Sequence, residues 1–234
     1  MGFSVLIRRL ATYFKRHGFR ATTRRASLAT RRVLFSNRQV VFYCDLANPP
    51  QEALPNFLTV ERKKSYEELS APDLHKMVSF WNPTVAQRNI EERLGKGASL
   101  WLIKSGEQLA GYGWTLQGRT IEPHYFPVGR EDVHLFDFYV FPEHRGQGIN
   151  PQLVREILRG SAIEGLCRAF IEAAEWNQAQ LTSLTKTSFR RVGRARKMTM
   201  FGRTVVCWDK SESVSGVTEN LRSMSAAVPR VARD

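Results

Sequence analysis

Between Phe141 and Leu158 the chain reads FPEHRGQGINPQLVREIL, a stretch whose residue types suit the holding of phosphate. Gly146 and Gly148 can take positive φ and let main chain come close to a ligand. Successive N–H groups in such a loop, with the free N–H groups of a following helix's first turn, make an anion site. Arg145 adds charge. Leu153, Val154, Ile157 and Leu158 form one apolar face, which marks the helix. No Gly-Lys-Ser/Thr follows, so this is not a Walker A loop, and Pro151 breaks the G-x-G-x-x-G pattern. Asn150 and Pro151 read as a helix start, asparagine as N-cap and proline as first helical residue.

The surrounding elements must present that loop. DVHLFDFYVF (132–141) reads as a buried strand stopped by Pro142, and a helix covers about 151–159. RAFIEAAE (168–175) is another strand and NQAQLTSLTKTSF (177–189) another helix. Upstream, QVVFYCDL (39–46) reads as a strand ended by Asn48-Pro49-Pro50. Two helical stretches, 71–80 and 84–94, precede a hairpin over 99–118 that turns at Ser105-Gly106. One or two strands close the domain after Arg191. The order predicts a mixed α/β (α+β) domain: antiparallel strands first, then strand–loop–helix–strand–helix–strand.

Arg145-Gly146-Gln147-Gly148-Ile149-Asn150 resembles the Arg/Gln-x-x-Gly-x-Gly/Ala signature of the GNAT superfamily, the acyl-CoA N-acyltransferases. FYVFPEHRGQGI resembles that family's strand end and loop. Asn177, Leu184, Lys186, Phe189, Val192 and Gly193 match its later Asn…Leu-x-Lys-x-Gly-Phe-x-x-Val-Gly pattern, with Ser188 in place of glycine. The resemblance covers roughly residues 55–205 and is best from 133 to 194. It implies a GNAT-type fold, a central mixed and largely antiparallel sheet flanked by helices.

The resemblance also implies acetyl-CoA as donor, with no metal. Pantetheine would lie between two splayed parallel strands, 136–141 and 168–174, so Tyr139, Val140 and Phe141 line it. The Val140 N–H would face the thioester oxygen, where a fixed donor favours the developing oxyanion. The pyrophosphate would sit on Arg145, Gly146, Gln147, Gly148, Ile149 and Asn150, and Asn177 would touch the coenzyme arm. For the base, a regular strand puts His134, Phe136, Phe138 and Val140 on one face. His134 lies six residues before Val140, the spacing of a base glutamate in some family members. Asp137 reaches that face only through a bulge. Glu122, His124 and Glu172 are weaker candidates. Leu184 stands where many relatives carry an acid tyrosine. Helices 71–94 and the insert TIEPHYFPVG (120–129) would shape the acceptor site. The expected activity is transfer of an acetyl group to an amine of a small molecule, sugar nucleotide or cell-surface precursor. The alternative is a non-catalytic module that binds acyl-CoA or a membrane surface.

The bulk numbers fit one domain with extensions. Net charge is +13, yet residues 1–40 hold ten Lys/Arg and no Asp or Glu, which leaves +3 for the other 194 residues. Phe3, Leu6, Ile7, Leu10 and Phe14 recur at helical spacing there. Residues 1–38 thus read as a basic helical extension, 39–210 as the domain and 211–234 as a Ser-rich flexible tail. Three readings of the extension stand open: packing on the domain, lying on an anionic membrane surface through residues 1–36, or a cleaved transit peptide. No recognised nucleic-acid motif accompanies it. No apolar run approaches the ~18 residues that span a bilayer. Cys44, Cys167 and Cys207 lack metal spacing and read as small buried residues in a reducing compartment, so a cytoplasmic site, peripheral to a membrane or not, is expected.

Overall fold

A computed structural model describes residues 38–49, 52–79, 82–121, 125, 128–200 and 203–209. The basic extension (1–37), the tail (210–234), Glu122 and His124 lie outside the described residues. In chain order the elements are β1 (Arg38–Asp45), β2 (Leu58–Lys63), α1 (Ala71–Ser79), α2 (Pro83–Gly95), β3 (Ser99–Ser105), β4 (Gln108–Gln117), β5 (Asp132–Val140), α3 (Ile149–Ile163), β6 (Arg168–Ala174), α4 (Gln178–Leu184), β7 (Arg190–Met200) and β8 (Arg203–Trp208). They form one eight-stranded sheet in the order β2-β3-β4-β5-β6-β1-β7-β8. Every neighbouring pair is antiparallel except β5 and β6. This is the mixed, largely antiparallel sheet flanked by helices that the sequence led us to expect.

Local chemistry explains the helices. Asn82 caps α2 by accepting from the Val85 N–H at 3.2 Å, with Pro83 in the first turn. On α3, Leu153, Val154, Ile157 and Leu158 are fully buried with Val133 and Leu135 of β5 and Ile171 of β6. Each such side chain contributes about 1.5–3 kcal/mol of hydrophobic stabilisation. On the opposite face Met77 of α1 and Ile90 and Leu94 of α2 pack with Leu100, Leu102, Tyr112, Trp114 and Phe141.

Some expectations are refined and others corrected. β1 is antiparallel, as expected of the early strands, and lies between β6 and β7. Only long-range pairing determines that placement, and local pattern does not carry it. β2, which follows a Pro-rich stretch, is a strand beyond those the sequence pattern predicts. α4 stops at Leu184 rather than running to Phe189, because the next groups turn: Thr185 Oγ1 donates to the Thr182 carbonyl and Thr187 Oγ1 to the Leu184 carbonyl. Cys44 is buried, and burial pushes its thiol up to about 11, whereas Cys167 and Cys207 are exposed.

Candidate active site

The site begins where two strands part. β5 and β6 pair only from Asp132↔Arg168 to Leu135↔Ile171. Arg168 clamps the closed end, donating from Nε to Asp132 Oδ1 at 2.7 Å and from Nη2 to Oδ2 at 2.8 Å. The hydrogen-bonded carboxylate raises the Arg168 pKa above its ordinary value. Beyond Leu135, β5 follows β4 and β6 follows β1, so a gap opens. The Phe141 N–H donates to the Ala110 carbonyl at 3.0 Å. Antiparallel alternation then turns the N–H and C=O of Val140, which pairs with Gly111, away from β4 and toward the gap. Arg145 Nε donates to that Val140 carbonyl at 3.0 Å.

A bulge changes which side chains share a face. The β4–β5 register shifts between Tyr112 and Trp114, and Asp137 has φ 52°, in the left-handed region. His134 and Phe136 therefore share a face with Tyr139 and Phe141, while Phe138 and Val140 join Val133 and Leu135 on the α3 side. This corrects the regular-strand expectation that grouped His134 with Val140. Two glycines of β4 make room for the bend. A Cβ at Gly113 would lie 2.4 Å from the Phe138 ring, and one at Gly111 would lie 2.7 Å from the Tyr139 carbonyl oxygen.

After β5 comes the glycine loop. Gly146 and Gly148 have φ 79° and 75°, and a Cβ at either would meet nothing within 4 Å. Both glycines are thus set by backbone conformation, and both present bare main chain. The cap of α3 is Gly148 and the helix starts at Ile149, so Asn150 is not the N-cap and Pro151 is not the first helical residue. Asn150 instead donates from Nδ2 to Ser183 Oγ of α4 at 2.8 Å, while its Oδ1 is buried without a hydrogen-bond partner. Loop, strand end and α4 enclose a cavity of about 410 Å³ lined by Phe138, Tyr139, Val140, His144, Arg145, Gly146, Gly148, Ile149, Asn150, Pro151, Asn177 and α4 residues to Lys186. Open glycine main chain, the charges of Arg145 and Lys186, and an orphaned buried amide oxygen fit a phosphorylated, amide-bearing ligand. Phe141 is fully buried on the other face, and Gln147 is exposed with Nε2 on the Glu143 carbonyl; neither lines this cavity. Asn177 does, although its Oδ1 accepts from the Gln180 N–H and so caps α4.

A second cavity of about 430 Å³ lies on the α1/α2 side, lined by Met77, Asn82, Val85, Ala86, Asn89, Ile90, Arg93, Tyr112, Trp114 and Asp137. Its walls are apolar and aromatic, and its charged pair is Arg93 Nη1 to Asp137 Oδ2 at 2.5 Å. The Arg93 guanidinium also stacks over Trp114 and Phe136, at 5.2 and 5.5 Å from the ring centroids. His134, at 6% exposure, contacts Glu172 Oε2 through Nε2 at 2.8 Å and stacks on Phe136. From the insert, Tyr125 is buried with Val41, Phe170, Val192 and Ala195 and does not line this second cavity. A lysine ties the two sides together. Lys76 of α1 reaches Glu143 Oε1 at 2.9 Å and the Leu109 carbonyl at 2.7 Å, and its hydrogen bond holds the Glu143 carboxyl below the usual range.

Residues 63–183, just over half of the chain, match the acetyltransferase (GNAT) family. The chain belongs to the GNAT family. Among its relatives, the rat N-acetyltransferase 8F1 is 33% identical over 112 residues, 48% of either chain, and the rat N-acetyltransferase 8B is 31% identical over 99 residues, 42% of either chain. The chain thus spans about half the length of the curated relatives it matches. A solved Bacillus subtilis acetyltransferase in complex with CoA aligns with a TM-score of 0.43 at 18% identity, over 61% of this chain and 78% of that one. Within this GNAT chain Leu184 is fully buried in the α3-side core, so that position offers no proton donor. Arg93, His144, Gly111 and Gly113 are site residues that local sequence pattern does not mark. The Gly-x-Gly of AGYGW was the one visible signal for the last two.

Proposed function

We propose that this chain is an N-acetyltransferase that moves the acetyl group of acetyl-CoA directly to an amine. The observation that carries the proposal is that consecutive residues of the β5 bulge face different cavities: Asp137 lines the α1/α2 side, and Phe138, with Val140 beyond it, lines the glycine-loop side. Bound coenzyme would supply the activated thioester. The loop from Arg145 to Asn150 and Lys186 would hold its phosphates, and the gap beside β5 its arm. The Val140 N–H would favour the oxyanion as the amine nitrogen bonds to the carbonyl carbon. The C–S bond then breaks and the thiolate leaves. A thiol with a pKa near ~8.5 can leave with a proton from water.

Asp137 is the base we favour. Its half-exposed carboxylate would hold an acceptor ammonium in an apolar pocket and take its proton, directly or through one water. The 2.8 Å contact between His134 and Glu172 supports a second assignment, in which that pair receives the proton. Purified chain, acetyl-CoA and a panel of small-molecule amines, amino sugars and sugar nucleotides test the proposal. Thiol release matched by an acetylated acceptor is expected. Coenzyme A binding without transfer to any amine would favour a non-catalytic module, and no coenzyme A binding would overturn the proposal.

A further inference from the structure

We infer that His144 is a coenzyme-binding residue, whose Nε2–H donates to the diphosphate of coenzyme A; the inference rests on the proposed coenzyme cavity. His144 is only 8% exposed and is one of the residues that line that cavity. Its Nε2 is buried and has no hydrogen-bond partner among the described residues. An unmet polar atom in so closed a position is costly, and a ligand group at the cavity wall would satisfy it. The backbone fixes where the ring stands. Pro142 opens the short turn Pro142–His144, and the His144 N–H donates to the Phe141 carbonyl at 2.9 Å.

The adjoining arginine is already engaged. Arg145 gives its Nε to the Val140 carbonyl and lies over the Tyr139 ring at 5.5 Å. The guanidinium that the loop motif would assign to phosphate is thus partly committed to the strand end, and His144 is the next donor on that wall. Ionised phosphate oxygens only accept, and an imidazole bearing a proton on Nε2 donates, so the pairing is complementary. Asn150 Oδ1, also buried without a partner, only accepts. It would repel a phosphate oxygen and suits an N–H or hydroxyl of the coenzyme arm. The two orphaned atoms therefore divide the ligand between them.

The test is calorimetric titration of coenzyme A and of dephospho-coenzyme A into wild type, His144→Phe and His144→Gln. Coenzyme titration of a ¹⁵N-histidine-labelled wild-type sample, followed through the imidazole nitrogens, accompanies it. The Phe variant should lose roughly ten-fold in affinity for both ligands, and the Gln variant, which keeps an N–H, only about three-fold. The His144 Nε2 signal should shift on binding. Equal affinity of wild type and Phe variant, or an unmoved Nε2 signal at saturation, would overturn the inference. A loss confined to coenzyme A would move the contact to the 3′-phosphate and overturn it as stated. Failure of wild type to bind either ligand would instead bring down the coenzyme cavity itself. The signal on wild type decides the matter even where a variant fails to fold.

Discussion

The two cavities of this GNAT chain are built by opposite means. The glycine-loop cavity draws mainly on one continuous stretch, Phe138 to Pro151, and offers main-chain groups held by glycine conformations. The α1/α2 cavity is assembled from side chains of α1, α2, β4 and the β5 bulge, as many as 60 positions apart from Met77 to Asp137. A shared ligand class can be met by backbone, which any sequence supplies once the glycines are in place. A particular acceptor has to be met by side chains, which the backbone frame does not dictate.

Variants on either side test that division. Asp137→Asn should lower kcat/KM roughly 10²–10³-fold in a transferase assay while coenzyme A affinity, read by calorimetry, stays within about two-fold. The same assay on His134→Gln separates the two base assignments, since the larger loss marks the base. Gly113→Val comes next: its Cβ would press on the Phe138 ring on the α3 side of the sheet. Coenzyme A binding should weaken about ten-fold and thermal melting should show a loss of about 1–3 kcal/mol. An unaltered coenzyme affinity would mean that the bulge does not shape the coenzyme side. Arg93→Met removes the partner of Asp137 and should raise the acceptor KM about five-fold with coenzyme binding unchanged.

The smallest effect involves a residue that lines neither cavity. Lys63 and then Lys104 hydrogen-bond to Glu61 and hold its carboxyl below the usual 4.5. A depressed carboxyl contributes stability above that value and loses it as pH falls through the lowered one. Wild type should therefore lose slightly more melting temperature between about pH 5 and pH 3 than Glu61→Gln does. Coenzyme affinity should not follow that fall.

This difference between cavities also explains what the sequence could tell. Gly146, Gly148 and the apolar face of α3 are neighbours in the chain, so loop, helix and ligand class could be read locally. The boundaries of β5 were legible because Pro142 stops it, and the hairpin because Ser105-Gly106 turns it. Which cap starts α3 was not legible: Asn150 is a good cap by type, yet its amide is drawn to Ser183 on α4, 33 residues away. The sequence stated the bulge at Asp137 only as a condition, since the room for it is made on the neighbouring strand at Gly113. Arg93 gave no signal, because its partners Trp114, Phe136 and Asp137 come from other strands.

The central claim is that the glycine loop holds the coenzyme. Calorimetric titration of coenzyme A into wild type and Gly148→Arg tests it most directly. Residue 148 takes φ 75°, where an L side chain is strained, and an arginine there would fill the open face of the loop. We predict micromolar-range binding to wild type and a loss of about 100-fold or more in a variant that keeps its fold by circular dichroism. Equal affinity of a folded Gly148→Arg and wild type would contradict the account.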